Sequence, residues 1–216
     1  MHLISTEADA IAARIAAVEA RTGVQIVTAV VGRAARYPEA RWKAFALGVS
    51  VAALIVVTLA FLRPGWDAAA ATFGGMVAVL SIGITCALVA TFVERFERLF
   101  VRHNRAEVEV RQYAEGLFLS RGLFATPHRT AVLVVVSLLE RVVVVHADRG
   151  YDDRISATEW ESVVASMTAL LRSGRQAAAL EAGLVALEHL LVRKGFVAAG
   201  ASQNVLPDRP IEERGA

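Results

Sequence analysis

The chain has a single cysteine, Cys86, which lies inside an apolar run. One cysteine excludes an intrachain disulfide and any zinc site built from the cysteines of one chain. An excess of charge of either sign is also lacking, because 23 Lys and Arg against 21 Asp and Glu leave a formal net charge of +2. The charge balance therefore gives no indication of a nucleic-acid partner. Only Lys43 and Lys194 are lysines, and this arginine bias is typical of a GC-rich bacterial genome.

The common catalytic and nucleotide-binding motifs are missing as well. The sequence contains no G-x-S-x-G, P-loop, G-x-G-x-x-G or H-E-x-x-H motif, so no nucleophile or phosphate-binding loop is marked. The first twenty residues lack a basic region followed by an uninterrupted apolar stretch, and they do not indicate a cleavable signal peptide. They predict an amphipathic helix with Ser5 or Thr6 as its N-cap.

Apolar residues are abundant, at 56% of the chain, and the excess is concentrated in two uncharged segments, 44–62 and 68–93. A helix needs about twenty residues to cross the hydrocarbon of a bilayer, so both segments are long enough. Between them, RPGWD at 63–67 holds a helix-breaking Pro and Gly and a Trp suited to the headgroup region. The alternative, two buried core helices, would require a far larger surrounding domain. The sequence therefore predicts a transmembrane helical hairpin over 44–93.

Basic residues flank this hairpin at both ends, whereas the intervening loop holds only Arg63. Because basic residues concentrate in cytoplasmic segments, we expect an integral inner-membrane protein with both termini and its soluble part in the cytoplasm. Neither segment contains a charge, so a transporter has no support. Small residues in both segments, among them Gly48, Gly75 and Gly83, predict close packing of the two helices. The flanking basic residues are Arg33, Arg36, Arg41, Lys43, Arg95, Arg98, Arg102 and Arg105.

The rest of the chain indicates a small mixed-sheet α/β sandwich that the hairpin divides into two parts, 1–43 and 94–195. VQIVTAVVG at 24–32 predicts one strand, and AVLVVVSLLERVVVVHAD at 131–148 predicts a hairpin of two buried strands. A helix is expected to continue from the second span through about residue 118, and two more follow, capped by Ser156 and Ser173. Residues 196–216 form a polar, Pro-containing tail, predicted to be disordered.

The order of elements and several local stretches resemble the TPM domain family, which includes thylakoid acid-phosphatase-like, photosystem II repair and many bacterial membrane proteins. The matching stretches are EARTGVQIVTAVV (19–31), YPEARWKAF (37–45), RQYAEGLFLSRGLFATPHRTAVLVVVSLLERVVVVHADRGYDDRIS (111–156) and Trp160 with the helices after it. The resemblance implies a sandwich similar to a Rossmann arrangement. It also implies calcium binding and acid phosphatase activity in some members, and assembly or repair roles in others. Where better-studied members carry a Gly-rich acidic segment, this chain has ADRGYDDRIS.

The acidic turn after the second valine run is the main candidate site. Asp148, Asp152 and Asp153 could supply oxygen ligands to calcium or magnesium, although their spacing departs from the EF-hand pattern. In the competing interpretation Asp148 ends a strand, Gly150 adopts a positive φ, and Asp152 or Asp153 caps the turn before the next helix. Arg149 and Arg154 would then neutralise neighbouring carboxylates without a metal.

Two histidines are the other reactive candidates. His128 in ATPHRT and His146 at a strand end could lie at the same sheet edge as Asp148 and form a pair for acid–base catalysis. A histidine in a strand is more often a hydrogen-bonded core residue.

Two functions from different classes stay open. The first is a non-enzymatic binding or assembly module, anchored in the lipid bilayer, that presents a sheet edge and the 148–156 turn to a protein partner or a second copy. The second is a metal-dependent, acid-phosphatase-like hydrolase that uses the three aspartates and a histidine. The feature that discriminates them is whether the carboxylates and a histidine share one cleft.

Overall fold

The computed structural model divides the chain into two compact units, 1–35 with 103–216 and 36–102. The predicted loop 63–67, the candidates His128 and Asp152, and much of the predicted tail lie outside the described residues. The structure describes residues 4–62, 68–126, 129–151, 153–198 and 209–215, with the backbone alone for 68–71.

The valine-rich runs form strands, as predicted. Strand β1 (Gln25–Arg33) pairs in parallel with β2 (Ala131–Ser137), and β2 pairs antiparallel with β3 (Val142–Ala147). All seven residues of β2 are buried, which agrees with an apolar run that does not alternate. With β4 (Ile211–Gly215), these strands form a four-stranded mixed sheet in the order β3-β2-β1-β4.

The turn between β2 and β3 is tied to the end of β1. Glu140 is buried in this turn, and its carboxylate accepts hydrogen bonds from the Ser137 hydroxyl and, at 3.1 Å, from the Ala34 N–H. The backbone N–H groups of Leu138 and Leu139 donate to carbonyls of β1. The hairpin turn therefore extends the contact between β1 and β2 beyond the ladder.

Helices pack against both faces of the sheet. On one face α1 (Ser5–Thr22), α6 (Ala157–Arg172) and α7 (Gln176–Arg193) share a buried apolar cluster with Val132, Val134 and Val136 of β2. On the other face α5 (His103–Ser120) contacts β2 and β3. This arrangement confirms the mixed α/β fold expected from the sequence.

The expectation of a disordered C-terminal tail is wrong for the parts of it that the structure describes, residues 196–198 and 209–215. Ile211–Gly215 forms β4, which pairs in parallel with β1 so that Ile211 lies opposite Ala29. Polar anchors place this strand, because the Glu213 carboxylate accepts hydrogen bonds from the Tyr113 hydroxyl at 2.5 Å and from Arg121 Nη2 at 2.8 Å. An apolar pattern could not reveal a strand held by such contacts. Phe196, at the start of the predicted tail, is buried in the core.

In the second unit, α2 (Pro38–Leu62) and α3 (Ala68–Phe92) are long and apolar enough to cross a membrane. Only 11% of each apolar window is buried, whereas a core helix of a soluble protein is mostly buried. A Cβ at Gly83 would lie 2.6 Å from Val49 Cγ2, and a Cβ at Gly48 would lie 2.8 Å from Cys86 Sγ. The small residues thus permit the predicted close packing.

The helix predicted to continue from the second span is interrupted. Val93 leaves the helical region with φ −112° and ψ 97°, and α4 (Glu94–Glu97) and a 3-10 turn at Arg98–Phe100 follow. Val101 is extended before α5 begins. The apolar periodicity of this segment comes from local packing such as the Phe96–Phe100 ring contact at 5.4 Å, and periodicity alone does not locate a break in direction.

Two predicted helix starts shift by a few residues, while a third is confirmed. Ile4, not Ser5 or Thr6, is the N-cap of α1, because the Glu7 carboxylate accepts the Ile4 N–H at 3.1 Å. Helix α7 has Arg175 as its N-cap instead of Ser173. Ser156 caps α6 as expected.

Replacing Glu213 with Gln tests whether polar anchors hold β4. Hydrogen bonds from Tyr113 and then Arg121 lower the pKa of Glu213 below its ordinary 4.5. The carboxylate therefore stabilises the fold fully above pH 4.5, and this contribution is lost as the pH falls through the lowered pKa. We expect Glu213→Gln to cost about 1 kcal/mol or less near neutral pH, with the difference shrinking in acid.

The measurement is thermal unfolding by circular dichroism of the detergent-solubilised full chain across this pH range. Glu181→Gln, at an exposed position of α7, is the matched control and should change nothing. A Glu213→Gln difference that stays constant into strong acid would contradict the anchoring role of the ionised carboxylate.

The packing of α2 on α3 can be tested through Cys86. Because a side chain at Gly83 would overlap Val49 and Phe45, we expect Gly83→Leu to separate the helices and raise the rate of Cys86 alkylation by N-ethylmaleimide severalfold. Gly74→Leu is the control, since nothing lies within 4 Å of a Cβ there. Equal alkylation rates for both variants would contradict the packing.

Candidate functional site

The acidic turn begins at Asp148, directly after β3, and its carboxylate is already occupied. Arg129 donates two hydrogen bonds to it, from Nε to Oδ2 at 2.8 Å and from Nη2 to Oδ1 at 3.0 Å. The backbone N–H of Arg149 donates to Oδ1 at 2.8 Å. Asp148 is buried, and the bidentate hydrogen bonds from Arg129 compensate for the hydration that its carboxylate loses.

Arg129 reaches this position through its backbone. Its φ is +52°, which is uncommon for a residue with a side chain, and the Gly150 N–H donates to its carbonyl at 3.0 Å. The expected positive φ at Gly150 is wrong, because Gly150 lies in a 3-10 turn, Arg149–Tyr151. The segment before β2 and the turn after β3 are therefore fastened to each other.

Tyr151 fixes the turn to the segment before β2 and to the apolar core. Its side chain is buried, and its hydroxyl donates to the Thr130 carbonyl at 2.7 Å. Its ring packs against Trp160 and Phe196, with centroids 5.6 and 5.0 Å away. Burial, and then the negative charge of Asp148, raise the pKa of Tyr151 above its ordinary 10.0, so the phenol stays neutral and serves as a donor.

The turn is also joined to the end of α7. The Arg154 guanidinium lies 3.8 Å from the centre of the Phe196 ring and donates to the Lys194 carbonyl at 2.7 Å. Lys194 Nζ pairs with Glu159 at 2.8 Å. The hydrogen bond from Lys194, and then one from the Ser156 backbone, lower the pKa of Glu159 to about 2. These contacts hold the turn and the start of α6 against the end of α7.

The three candidate metal ligands are in different circumstances. Asp148 is bound by Arg129, Asp153 is exposed, and Asp152 lies outside the described residues. Within the described ranges, no three His, Cys, Asp or Glu side chains are grouped so as to hold a metal ion. The site of Asp148, Asp152 and Asp153 stays a prediction. The sequence suggested Arg149 and Arg154 as neutralising partners, but Arg129 is the one that pairs with Asp148.

The histidine candidates do not join this cluster in the described structure. His146 is half-buried on β3, opposite Leu133, and its ring packs edge-on against Phe118 with centroids 4.8 Å apart. The Asp148 oxygens accept from Arg129 and Arg149, and in the described part of the chain no hydrogen bond links them to His146. His128 lies outside that part.

A groove of about 660 Å³ runs along the outer side of β3. Since β3 is the first strand in the order β3-β2-β1-β4, its outer side has no partner strand among the described residues. Helix α5 borders the groove on one side and α6 on the other. Its lining comprises Glu107, Arg111, residues 142–147, Tyr151, Ile155, Ala157, Trp160, Glu161 and Val164.

The backbone of β3 offers hydrogen-bonding groups to this groove. The Asp148 N–H donates to the Ala131 carbonyl, so by the alternation of an antiparallel ladder the even-numbered residues of β3 face β2. The N–H and C=O groups of Val143, Val145 and Ala147 therefore point into the groove. Such a row of free groups is a template for another extended chain.

The walls of the groove combine apolar and charged side chains. Trp160 and Val164 of α6 are half-buried and provide apolar surface, while Glu161 of the same helix is exposed. On α5, Glu107 pairs with His103 at 3.1 Å, and Arg111 lies next to it along the groove. An apolar floor with a charged rim suits a peptide better than a metal ion or a small polar molecule.

Comparisons with known proteins identify the class of fold. The NMR structure of BA42 protein from the psychrophilic bacterium Bizionia argentinensis is similar, with a TM-score of 0.60 and 13% sequence identity. The match covers 98% of this chain and 96% of that chain. At this identity the likeness shows the fold alone, which is that of a mixed α/β protein. No family model and no curated protein matches the chain.

Replacing Asp148 with Asn tests whether it acts as an ion-pair partner. We expect the variant to lose about 1–3 kcal/mol of stability, because a neutral amide cannot accept both guanidinium hydrogen bonds. Asp153→Asn, at an exposed position of the same turn, should be close to neutral. Thermal unfolding of the full chain in detergent measures both.

Calcium and magnesium provide the second arm of that experiment. If Asp148 is held by Arg129, the unfolding temperature of the wild type is the same with millimolar calcium, with magnesium and with chelator. An increase on adding either ion that Asp148→Asn abolishes would instead make Asp148 a metal ligand.

Proposed function

We propose that this protein is a membrane-anchored binding module whose α/β unit receives an extended segment of a partner protein along β3. The observation that carries this proposal is the open edge of β3 inside a groove bordered by two helices. Strand addition of this kind obtains affinity from main-chain hydrogen bonds and specificity from the neighbouring side chains. It needs no catalytic group, which fits a sequence without a nucleophile motif.

The geometry supports a particular mode of binding. A peptide strand beside β3 would pair with the outward backbone groups of Val143, Val145 and Ala147. Alternate side chains of the peptide would face Trp160 and Val164 on one side and Arg111 on the other. The favoured ligand is therefore an extended segment with apolar residues on one face and an acidic residue on the other.

Anchoring by α2 and α3 is the second part of the proposal. Each helix has 25 residues and is about 38 Å long, enough to cross a hydrocarbon layer of about 30 Å. Large apolar side chains such as Leu54, Phe61 and Phe73 are exposed on them, as expected where lipid is the solvent. The basic residues at one end of the hairpin support a cytoplasmic α/β unit at the inner membrane.

Membership of the TPM domain family belongs to the proposal as well. Its support is the order of elements and the stretches at 19–31, 37–45 and 111–156. The assembly role of some members accords with a binding module. Hydrolytic chemistry has less support, because Asp148 is held by Arg129 and His146 packs against Phe118.

The experiment uses a displayed library of extended peptides, selected on the full chain in detergent. The N–H of Val145 points into the groove, so Val145→Pro removes a donor for the ligand without breaking the β2 ladder, and proline is tolerated on edge strands. We expect selected peptides to bind the wild type and to lose about tenfold in affinity with Val145→Pro. Trp160→Ala should also weaken binding.

Val192→Ala, at an exposed apolar position of α7, is the matched control and should leave peptide affinity unchanged. Unfolding temperatures establish that each variant is folded. Self-association that Val145→Pro abolishes would identify a second copy as the occupant. If neither peptide binding nor self-association depends on Val145, the edge of β3 is not the binding site.

A further inference from the structure

We propose that the charged end of the α2–α3 hairpin, residues 36–43 with 93–102, binds the phosphate headgroups of anionic phospholipids. The inference rests on the proposed anchoring, since it requires the hairpin to lie in a bilayer. It goes beyond anchoring because a transmembrane hairpin by itself has no preference among lipids. We call these residues the basic collar.

Five cationic side chains in the basic collar are exposed: Arg36, Arg41, Lys43, Arg95 and Arg102. Within the described part of the chain, none of the five forms an ion pair with a carboxylate. Among the carboxylates of the same segments, Glu97 is buried and Glu39 is half-buried. Within the collar only Glu94 is an exposed carboxylate, against five exposed cations, so the exposed surface carries an excess of positive charge.

The packing of the hairpin brings these side chains to one end of the unit. Gly48 lies beside Cys86, and Gly75 lies beside Val56, so α2 and α3 are antiparallel. The start of α2 is therefore next to the end of α3. Lys43 Nζ donates to the Phe100 carbonyl at 3.0 Å, which ties the turn after α3 to α2 and leaves two ammonium donors for another partner.

Exposed apolar side chains lie within the same collar. Trp42 is 73% exposed and Leu99 is 74% exposed, each beside cationic neighbours in the sequence. The backbone leaves the helical region at Val93, so the segment with Leu99 does not continue α3. A surface that combines Trp and Leu with Arg and Lys matches the boundary between acyl chains and phosphates.

An anionic lipid accounts for both the exposed cationic side chains and the exposed apolar ones. A free phosphate accounts only for the cationic side chains. Each guanidinium can donate two parallel hydrogen bonds to a phosphate group of either source. Only a lipid also brings acyl chains to Trp42 and Leu99. Several basic side chains directly next to a membrane span also attract an anionic surface, at about 1 kcal/mol each.

The test measures which lipid lies beside Trp42. Replacing the other two tryptophans, as Trp66→Phe/Trp160→Phe, leaves Trp42 as the sole indole of the full chain. This protein is reconstituted into vesicles in which a minor fraction of the lipid carries bromine near the headgroup end of its acyl chains. Brominated phosphatidylglycerol in phosphatidylcholine is compared with brominated phosphatidylcholine at the same fraction.

We expect brominated phosphatidylglycerol to quench Trp42 as if it were enriched about fivefold. Arg41→Gln/Arg95→Gln/Arg102→Gln should reduce the enrichment towards one. The control Arg172→Gln/Arg175→Gln/Arg193→Gln removes the same charge from exposed positions of the other unit and should leave the enrichment unchanged. Inorganic phosphate at matched ionic strength should not displace the lipid.

Each contrary outcome has a distinct meaning. Equal quenching by the two brominated lipids would overturn the inference while leaving the anchoring intact. Loss of the enrichment on adding inorganic phosphate at constant ionic strength would show a site for free phosphate, and the inference would also fall. No quenching by either lipid would mean that Trp42 is not at a bilayer, and the proposed anchoring would fail with it.

Discussion

The parallel pairing of β1 with β2 is the interaction on which the fold depends. It joins Gln25 to Ala131 and Val31 to Ser137, although residues 36–102 between them form a separate unit. Closing so long a connection costs conformational entropy, and the buried valines of both strands offset that cost. Strand β3 extends the sheet from β2 and strand β4 extends it from β1, so this pair joins the two halves of the sheet.

The two outer strands of the sheet differ in what lies along them. Strand β4 covers one side of β1 and is held by Glu213 through Tyr113 and Arg121. The outer side of β3, in contrast, borders a groove. The acidic turn lies at the end of that groove. Asp148, Arg129 and Tyr151 fix the end of β3 to the start of β2 there. We infer that the turn is the scaffold of the proposed binding edge.

Much of the fold could be predicted from the sequence, because buried strands and lipid-facing helices consist of apolar residues in recognisable runs. The apolar runs at 24–32 and 131–148 predicted three strands, and uncharged segments predicted both long helices. Strand β4 has no such apolar run, because hydrogen bonds of its side chains hold its polar sequence in place. The break at Val93 was missed because the amphipathic pattern continues through it.

The candidate site was predictable only in part. The sequence by itself determined strands β1 to β3, the two long apolar helices and the presence of an acidic turn after β3, because these depend on neighbouring residues and on burial. Only the tertiary structure decided that Arg129 pairs with Asp148, that His146 packs on Phe118, and that β3 lies at the edge of the sheet. Strand order and long-range ion pairs depend on how distant segments meet, and no local pattern of residues encodes that meeting.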